Sequence, residues 1–216
     1  MARILIIGGH GKIALQLAEV LTRSGHQATS VIRRDSQAAR IAETGAQPLV
    51  LDVEHCTTAE LAAAMAGHDA VVWSAGAGGG NPERTYAVDR DAAIMSMAAA
   101  AEAGVERYVM VSYLGARRDH GIDPENSFFA YAEAKAAADD HLRGTGLDWT
   151  ILAPGALTDE PSTGRINPEP SGSDTRTSRA SVALVAAAVL ELPGTAGRTI
   201  RFTDGGIDIA EALGGP

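Results

Sequence analysis

The sequence predicts an α/β fold: a three-layer sandwich in which helices cover both faces of a mostly parallel, doubly wound sheet. Three observations carry this. Short β-branched apolar runs alternate with helical apolar periodicity along nearly the whole chain. The first such pair, Arg3–Ile7 and Leu15–Leu21, is joined by a glycine-rich turn. The 216 residues, 45% hydrophobic and 21% charged, suit one large domain with a single core, read as residues 1–216 with a small substrate or lid region at about 155–180.

The first strand, Arg3–Ile7, is apolar enough to be buried on both sides. Gly8-Gly-His-Gly-Lys-Ile-Ala14 follows, and a helix runs from there to Gly25. A strand before and a helix after give this G-x-x-G-x-x-A pattern its meaning as a dinucleotide loop. Gly8 permits a sharp turn, Gly11 leaves bare backbone beside a pyrophosphate, and Ala14 lets helix and strand pack closely. The free N–H groups and the dipole at the helix start attract phosphate.

Gln27–Ile32 reads as the second strand, ending in Arg33-Arg34-Asp35. In a dinucleotide fold this tip faces the adenosine ribose. Two guanidinium groups ahead of a carboxylate favour a 2′-phosphate, hence NADP(H), with NAD(H) possible through Asp35. A short helix over Ser36–Thr44 and a third strand over Gln47–Leu51 follow, with Asp52-Val53 at the adenine edge. Thr57 and Glu60 form the pattern of a capping box. Asp69–Trp73 is the fourth strand, and Ser74 to Gly80 a small-residue loop suited to close cofactor approach or to a mobile flap.

Asn81-Pro82 starts a long helix to about Ala103. Arg107–Val111 is the fifth strand, delivering Ser112-Tyr113 to the sheet edge where ligands collect. Leu114–Asn126 reads as a surface loop, Ser127–Arg143 as a helix, and Asp148–Ala153 as a sixth strand leading to Pro154-Gly155. Thr158–Thr177 is a long polar loop, Ser178–Leu190 the last substantial helix, Thr199–Thr203 a closing strand and Asp208–Leu213 a terminal turn. Six or seven strands alternate with helices, the pattern of a Rossmann-type sheet.

The chemistry-bearing group is Tyr131-Ala-Glu-Ala-Lys135 with Ser112. The i,i+4 spacing puts Tyr131 and Lys135 on one helix face. A free phenol, with a pKa near about 10, is a poor proton donor or acceptor at neutral pH. A neighbouring ammonium is expected to lower that value, so that Tyr131 donates a proton to a carbonyl oxygen that Ser112 also holds. Asp139-Asp140-His141 reads as a solvated helix face. The six histidines show no metal-ligand spacing, and no metal is expected.

A net charge of −9 argues against a nucleic-acid or anionic-membrane partner. The single cysteine, Cys56, permits no internal disulfide and fits a reducing compartment. No stretch reads as a signal peptide or membrane span, so a cytoplasmic protein is expected. The expected partner is a small-molecule substrate, with the chain a monomer or homodimer.

The glycine loop, Arg33, Asp52-Val53, Ser112, Tyr131 with Lys135, and Leu147-Asp-Trp-Thr-Ile-Leu-Ala-Pro-Gly-Ala-Leu157 together resemble the atypical short-chain dehydrogenase/reductase superfamily. Within it, the chain is similar to the compact NmrA-like NAD(P)-binding group that includes biliverdin reductase B and flavin reductase. The resemblance implies that Gly8, His10, Gly11, Lys12 and Ile13 hold the pyrophosphate and Arg33 the 2′-phosphate. It also puts Asp52 and Val53 at the adenine, and Ser74, Ala75 and Gly76 beside the ribose. Pro154, Gly155, Ala156 and Leu157 would lie near the nicotinamide. Three positions depart from the family pattern: Ala153 replaces a frequent arginine, Ser181 a common aspartate and Tyr113 a frequent second serine.

The expected function is NADPH-preferring reduction of a small carbonyl, quinone or flavin-like substrate, with specificity in the loops Leu114–Asn126 and Thr158–Thr177. The alternatives are a non-catalytic NADP(H) sensor and, behind it, epimerase or dehydratase chemistry.

Overall fold

Strand β1 (Arg3–Ile7) shows how the three layers arise. Its successive side chains point to opposite faces, and both faces are buried: Ile4 and Ile6 enter one apolar cluster, Leu5 and Ile7 the other. The computed structural model describes residues 1–78, 80–171 and 175–214.

Helix α1 (Lys12–Arg23) packs Ala14, Leu17 and Leu21 onto the Ile4–Ile6 face. Strand β2 (Gln27–Ile32) pairs with β1 in parallel. The short helix α2 (Ala38–Ala42), preceded by a 3₁₀ turn at Asp35–Gln37, leads to strand β3 (Gln47–Val50). Helix α3 (Thr58–Met65) begins with the expected capping box: the Glu60 N–H donates to Thr57 Oγ1 at 3.2 Å and the Thr57 N–H to Glu60 Oε2 at 2.8 Å. Its Leu61 and Met65 cover the Leu5–Ile7 face. Strand β4 (Ala70–Trp73) then pairs with the other side of β1.

The long helix after β4 comes in three parts: α4 (Pro82–Thr85), a π-helical segment at Tyr86–Ala92, and α5 (Ala93–Glu102). Asn81 caps it, accepting the Arg84 N–H at 3.0 Å. Periodicity at 3.6 residues hides the π segment, which adds one residue to a turn and recurs at functional sites. Strand β5 (Arg107–Val111), helix α6 (Phe129–Arg143) and strand β6 (Asp148–Pro154) complete the expected alternation. The Leu114–Asn126 segment is irregular.

Beyond β6 the chain is more structured than its composition suggests. Strand β7 (Ala156–Thr158), strand β8 (Arg165–Asn167) and strand β9 (Arg176–Ser178) fall within or beside the expected loop. Strands of three residues carry too few side chains to leave a periodic signal. Helix α7 (Arg179–Glu191) starts one residue later than expected because Ser178 is its cap, accepting the Ser181 N–H at 3.0 Å. Strand β10 (Arg198–Asp204), strand β11 (Ile207–Asp208) and helix α8 (Ile209–Ala212) end the described chain.

Among the described residues the main sheet has nine strands, ordered β11-β8-β10-β6-β5-β4-β1-β2-β3, against the six or seven expected. Among the described residues β8 alone runs against the rest of this sheet, antiparallel to β10 on one side and β11 on the other. The chain winds outward from β1 to β3, then crosses back to β4 and winds the other way. The switch point between β1 and β4 leaves a crevice at the strands' C-terminal ends. Parts of the expected 74–80 loop (Gly79), of the 158–177 loop (172–174) and of the 1–216 domain (215–216) lie outside the described residues.

Candidate NAD(P) site and its polar neighbours

The crevice at the switch point is a cleft of about 320 Å³. Gly8, His10 and Gly11 form one wall, Ser74, Ala75 and Gly76 another, and Arg33, Asp52 and Val53 the outer end. The backbone geometry explains the glycines. Gly8 has a φ of 83°, and a Cβ on it would lie 2.5 Å from Ala75 Cα. Gly9 is pressed against β2, where a Cβ would stand 2.6 Å from Ser30 Cβ. Gly11 precedes α1 at a φ of −66° with no side chain capping the helix. Its missing Cβ leaves open the space beside the Gly8 carbonyl oxygen, which a methyl would approach to 3.1 Å. An uncapped helix start facing a bare-backbone cradle fits a pyrophosphate.

The profile of the family described as NAD(P)H-binding matches residues 8–193. The chain belongs to this family. It is 33% identical over 213 residues to the uncharacterized sugar epimerase YhfK of Bacillus subtilis, with 98% of each chain covered. Its fold superposes on a Bacillus halodurans protein provisionally named an NAD-dependent epimerase/dehydratase, with a TM-score of 0.90, 32% identity and 99% of each chain covered. The oxidoreductase YlbE of Lactococcus lactis matches with a TM-score of 0.85 and 28% identity, over 98% of this chain and 95% of that one. The protein is thus an NAD(P)-binding member of an oxidoreductase-like family with a Rossmann-type fold, as the sequence motifs implied.

Other expected cofactor residues take varied positions. Ile13 is buried in the core, while Lys12 is exposed and paired with Asp159 at 2.6 Å. Neither lines the cleft, and nor does Arg34, whose backbone N–H donates to Gln37 Oε1 at 3.2 Å. Asp52 turns its carboxylate back onto its own turn, accepting the Glu54 N–H at 3.1 Å. Pro154, Gly155, Ala156 and Leu157 stand at the same sheet edge but outside the cleft. A Cβ on Gly155 would lie 1.9 Å from the Thr175 carbonyl oxygen, so this glycine serves backbone packing.

Sequence reasoning missed Gln37, Glu54, Arg84 and Val88, which also line the cleft. Arg84 Nε donates to Glu54 at 3.1 Å and its Nη1 to the Ala77 carbonyl at 2.6 Å. Asp89, in the π-helical segment, accepts the Ala77 N–H at 2.9 Å. Two side chains therefore pin the small-residue loop at Ala77, which argues against a freely mobile flap there.

Beyond this loop Tyr131 and Lys135 each reach a neighbour of Ser112 at the end of β5, Lys135 through the Val111 carbonyl and Tyr131 through the Tyr113 ring. The Ser112 N–H donates to the Leu152 carbonyl at 2.8 Å and the Leu114 N–H to Pro154 at 2.8 Å, fixing the end of β5 against β6. Tyr131 packs with Tyr113 and Phe128, at ring-centroid distances of 5.4 and 5.0 Å. These rings adjoin a cleft of about 480 Å³ bounded by Pro82, Thr85, Phe128 and Tyr131.

Two expectations need correction here. Lys135 is 1% exposed, and its ammonium donates to the Val111 carbonyl at 2.7 Å. The Tyr131 phenol is pushed above its ordinary pKa, not below it, by burial first and then by the Asp89 carboxylate, Tyr113 and the Asp139 carboxylate. The second correction is Asp139 itself, read as part of a solvated face. It is 1% exposed, and Ser112 Oγ donates to its Oδ2 at 2.6 Å. A shift of one position along α6 separates the exposed face, where Asp140 pairs with Arg118 and Arg143, from the buried one. Aspartate spaced i,i+4 from the lysine was the available signal.

The departures at Ala153 and Ser181 are absorbed locally. Ala153 is buried in β6. Ser181 Oγ sits between Ser178 Oγ at 2.9 Å and Ser162 Oγ at 2.8 Å, tying the α7 start to the preceding loop. Among the described residues no cluster could hold a metal ion, and no helix is long and apolar enough to cross a membrane.

Proposed function

We propose that the protein is an NADPH-preferring reductase of a small carbonyl, quinone or flavin-like substrate. The observation that carries this reading is that Tyr131 packs on Tyr113, the residue after Ser112 at the end of β5, at 5.4 Å between ring centroids. Arg33 lines the outer end of that cleft while Asp35 does not, which supports a 2′-phosphate over a free 2′-hydroxyl. The main-chain cradle at Gly8–Gly11 and the α1 start would hold the pyrophosphate. Bound NADPH supplies hydride.

The polar side chains then manage the substrate oxygen. Ser112 orients it and Tyr131 delivers a proton to it. A phenol held above its ordinary pKa stays protonated and can hydrogen-bond a substrate oxygen, but it is a weaker acid, so full proton transfer requires the bound cofactor and substrate to lower that value. The cleft beside Phe128 and Tyr131 is offered as the substrate entrance, and the expected active unit is a monomer or homodimer without nucleic acid or membrane.

The test is titration of the purified protein with NADPH and NADH, followed by flavin, quinone and aldehyde acceptors. Tight NADPH binding and its oxidation by one class of acceptor support the reading. Tyr131→Phe is expected to lose most turnover with NADPH affinity nearly unchanged; equal turnover would remove the phenol from the mechanism.

A second reading has its own observation. The Lys135 ammonium donates to the Val111 carbonyl, and no hydrogen bond of it to the phenol is seen among the described residues. A site so arranged also suits an NADP(H) sensor without turnover, and NADPH binding with no oxidation by any acceptor would favour it. An epimerase reading draws on the names of two relatives and predicts turnover of a sugar substrate with no net cofactor oxidation.

A further inference from the structure

The buried pair Ser112–Asp139 raises a question of hydrogen count. A serine hydroxyl has one hydrogen to donate. In the pair as drawn, that hydrogen is spent on Asp139 Oδ2 at 2.6 Å, and Ser112 can then only accept. Donation to a substrate oxygen requires the hydrogen bond to run the other way, with the carboxyl group supplying the proton.

The surroundings of Asp139 favour that reversal. Its second oxygen, Oδ1, is buried with no hydrogen-bond partner, an arrangement that penalises an ionised carboxylate. Lys135 lies one turn earlier on α6, but its ammonium is bound to the Val111 carbonyl. Asp89, 2% exposed, draws on the same positive charge. Two buried carboxyl groups thus share the field of one buried ammonium, with which neither forms an ion pair among the described residues. Burial raises the proton affinity of both, opposed for each by Lys135. The other groups bearing on Asp139 are Asp140 and Arg143 on its own helix, Ser112 and Tyr113 at the end of β5, and Tyr131.

We propose that Asp139 is a positioning residue whose proton sets the direction in which Ser112 donates. With Asp139 neutral, its O–H donates to Ser112 Oγ and the serine hydrogen is free for the substrate oxygen. With Asp139 ionised, the serine hydrogen turns back to the carboxylate and the substrate oxygen loses that donor. No covalent bond is made or broken on the pair. This rests on the reductase reading of the same site.

The first arm of the test measures kcat and KM against pH for the full chain and for Asp139→Asn, using NADPH and whichever acceptor is reduced. The asparagine amide does not titrate, so its hydrogen bond to Ser112 is the same at every pH. The native enzyme is expected to lose kcat about tenfold per pH unit on the alkaline side of the Asp139 titration. Asp139→Asn is expected to lack that limb. A uniform loss of rate with the limb retained would mean a merely structural role and overturn the proposal.

The second arm needs no turnover. The Asp139 carboxyl carbon is followed by ¹³C NMR in the full chain with NADP⁺, identified as the resonance that moves in Ser112→Ala. Titration above the ordinary carboxylate range supports the proposal. A carboxylate already ionised at about pH 5 overturns it, whether or not an acceptor is found. Turnover failing while the titration holds would instead sink the reductase reading alone.

Discussion

Replacing Gly8 by alanine separates two demands that the nucleotide loop places on its glycines. At a φ of 83°, an L-residue pays about 1–2 kcal/mol for the left-handed conformation. Its Cβ would also lie 2.5 Å from Ala75 Cα and 2.6 Å from Ala75 N, well inside the roughly 3.5–4.0 Å of an ordinary contact. The obstacle is backbone following β4, so relief requires the loop to move by about 1 Å, and overpacking of this kind costs about 1–3 kcal/mol. The sum, about 2–5 kcal/mol, is a large part of the roughly 5–15 kcal/mol that holds a domain folded. It corresponds to a fall in Tm of roughly 4–20 °C at this chain length.

Gly11→Ala is the companion. Its φ of −66° is open to alanine, and its added methyl meets the Gly8 carbonyl oxygen at 3.1 Å and the Ser74 oxygen at 3.8 Å. It is expected to lower Tm by less than about 3 °C yet to weaken NADPH binding about tenfold or more, some 1.4 kcal/mol, because the methyl fills the cradle. Thermal melts without nucleotide and fluorescence titration with NADPH read the two effects apart. Native Tm in Gly8→Ala, or native affinity in Gly11→Ala, would refute the assignment of these glycines.

Further outcomes follow from other contacts. Arg33→Ala is expected to weaken NADPH binding by about 10- to 150-fold, the worth of a charged hydrogen bond of about 1.5–3 kcal/mol, and to leave NADH binding nearly unchanged. Equal losses for both would place the 2′-phosphate elsewhere. Thr57→Ala removes the α3 cap and is expected to destabilise the chain by about 1 kcal/mol, read as a shift in urea midpoint with an unchanged slope. Asp139 gives a signed pH effect on stability. Its carboxyl holds a proton more tightly folded than unfolded, so this contribution is complete below the ordinary aspartate pKa and is lost as pH rises through the folded value. The stability of the native chain relative to Asp139→Asn is therefore expected to decline across that window and then level; a gap rising with pH would contradict it.

The elements nearest the site were legible for a physical reason. Strand β1 and helix α1 announce themselves through unbroken apolar residues and 3.6-residue spacing, and the turn between them needs glycine wherever the chain passes Ala75 and Ser30. Capping at Thr57 is equally local, since both partners lie within four residues. Arg33 at the end of β2 could be placed because every strand of a parallel sheet delivers its last residue to the same edge.

Tertiary structure decided what local pattern leaves open. The strands β8 and β9 exist because edges and partners far along the chain take up their few hydrogen bonds. Asp89 reaches Ala77 from the π-helical turn, and Arg84 reaches Glu54 only because α4 comes against the turn that follows β3. Above all, Lys135 and Asp139 share an inner face of α6, which became inner when β5 and the Asp89 segment closed over it. The sequence by itself determined the strand, glycine turn and helix of the nucleotide loop and the sheet edge at which Ser112 and Tyr113 emerge. Only packing determined which side chains are buried, and hence that the Lys135 ammonium binds the Val111 carbonyl while the buried Tyr131 keeps its proton.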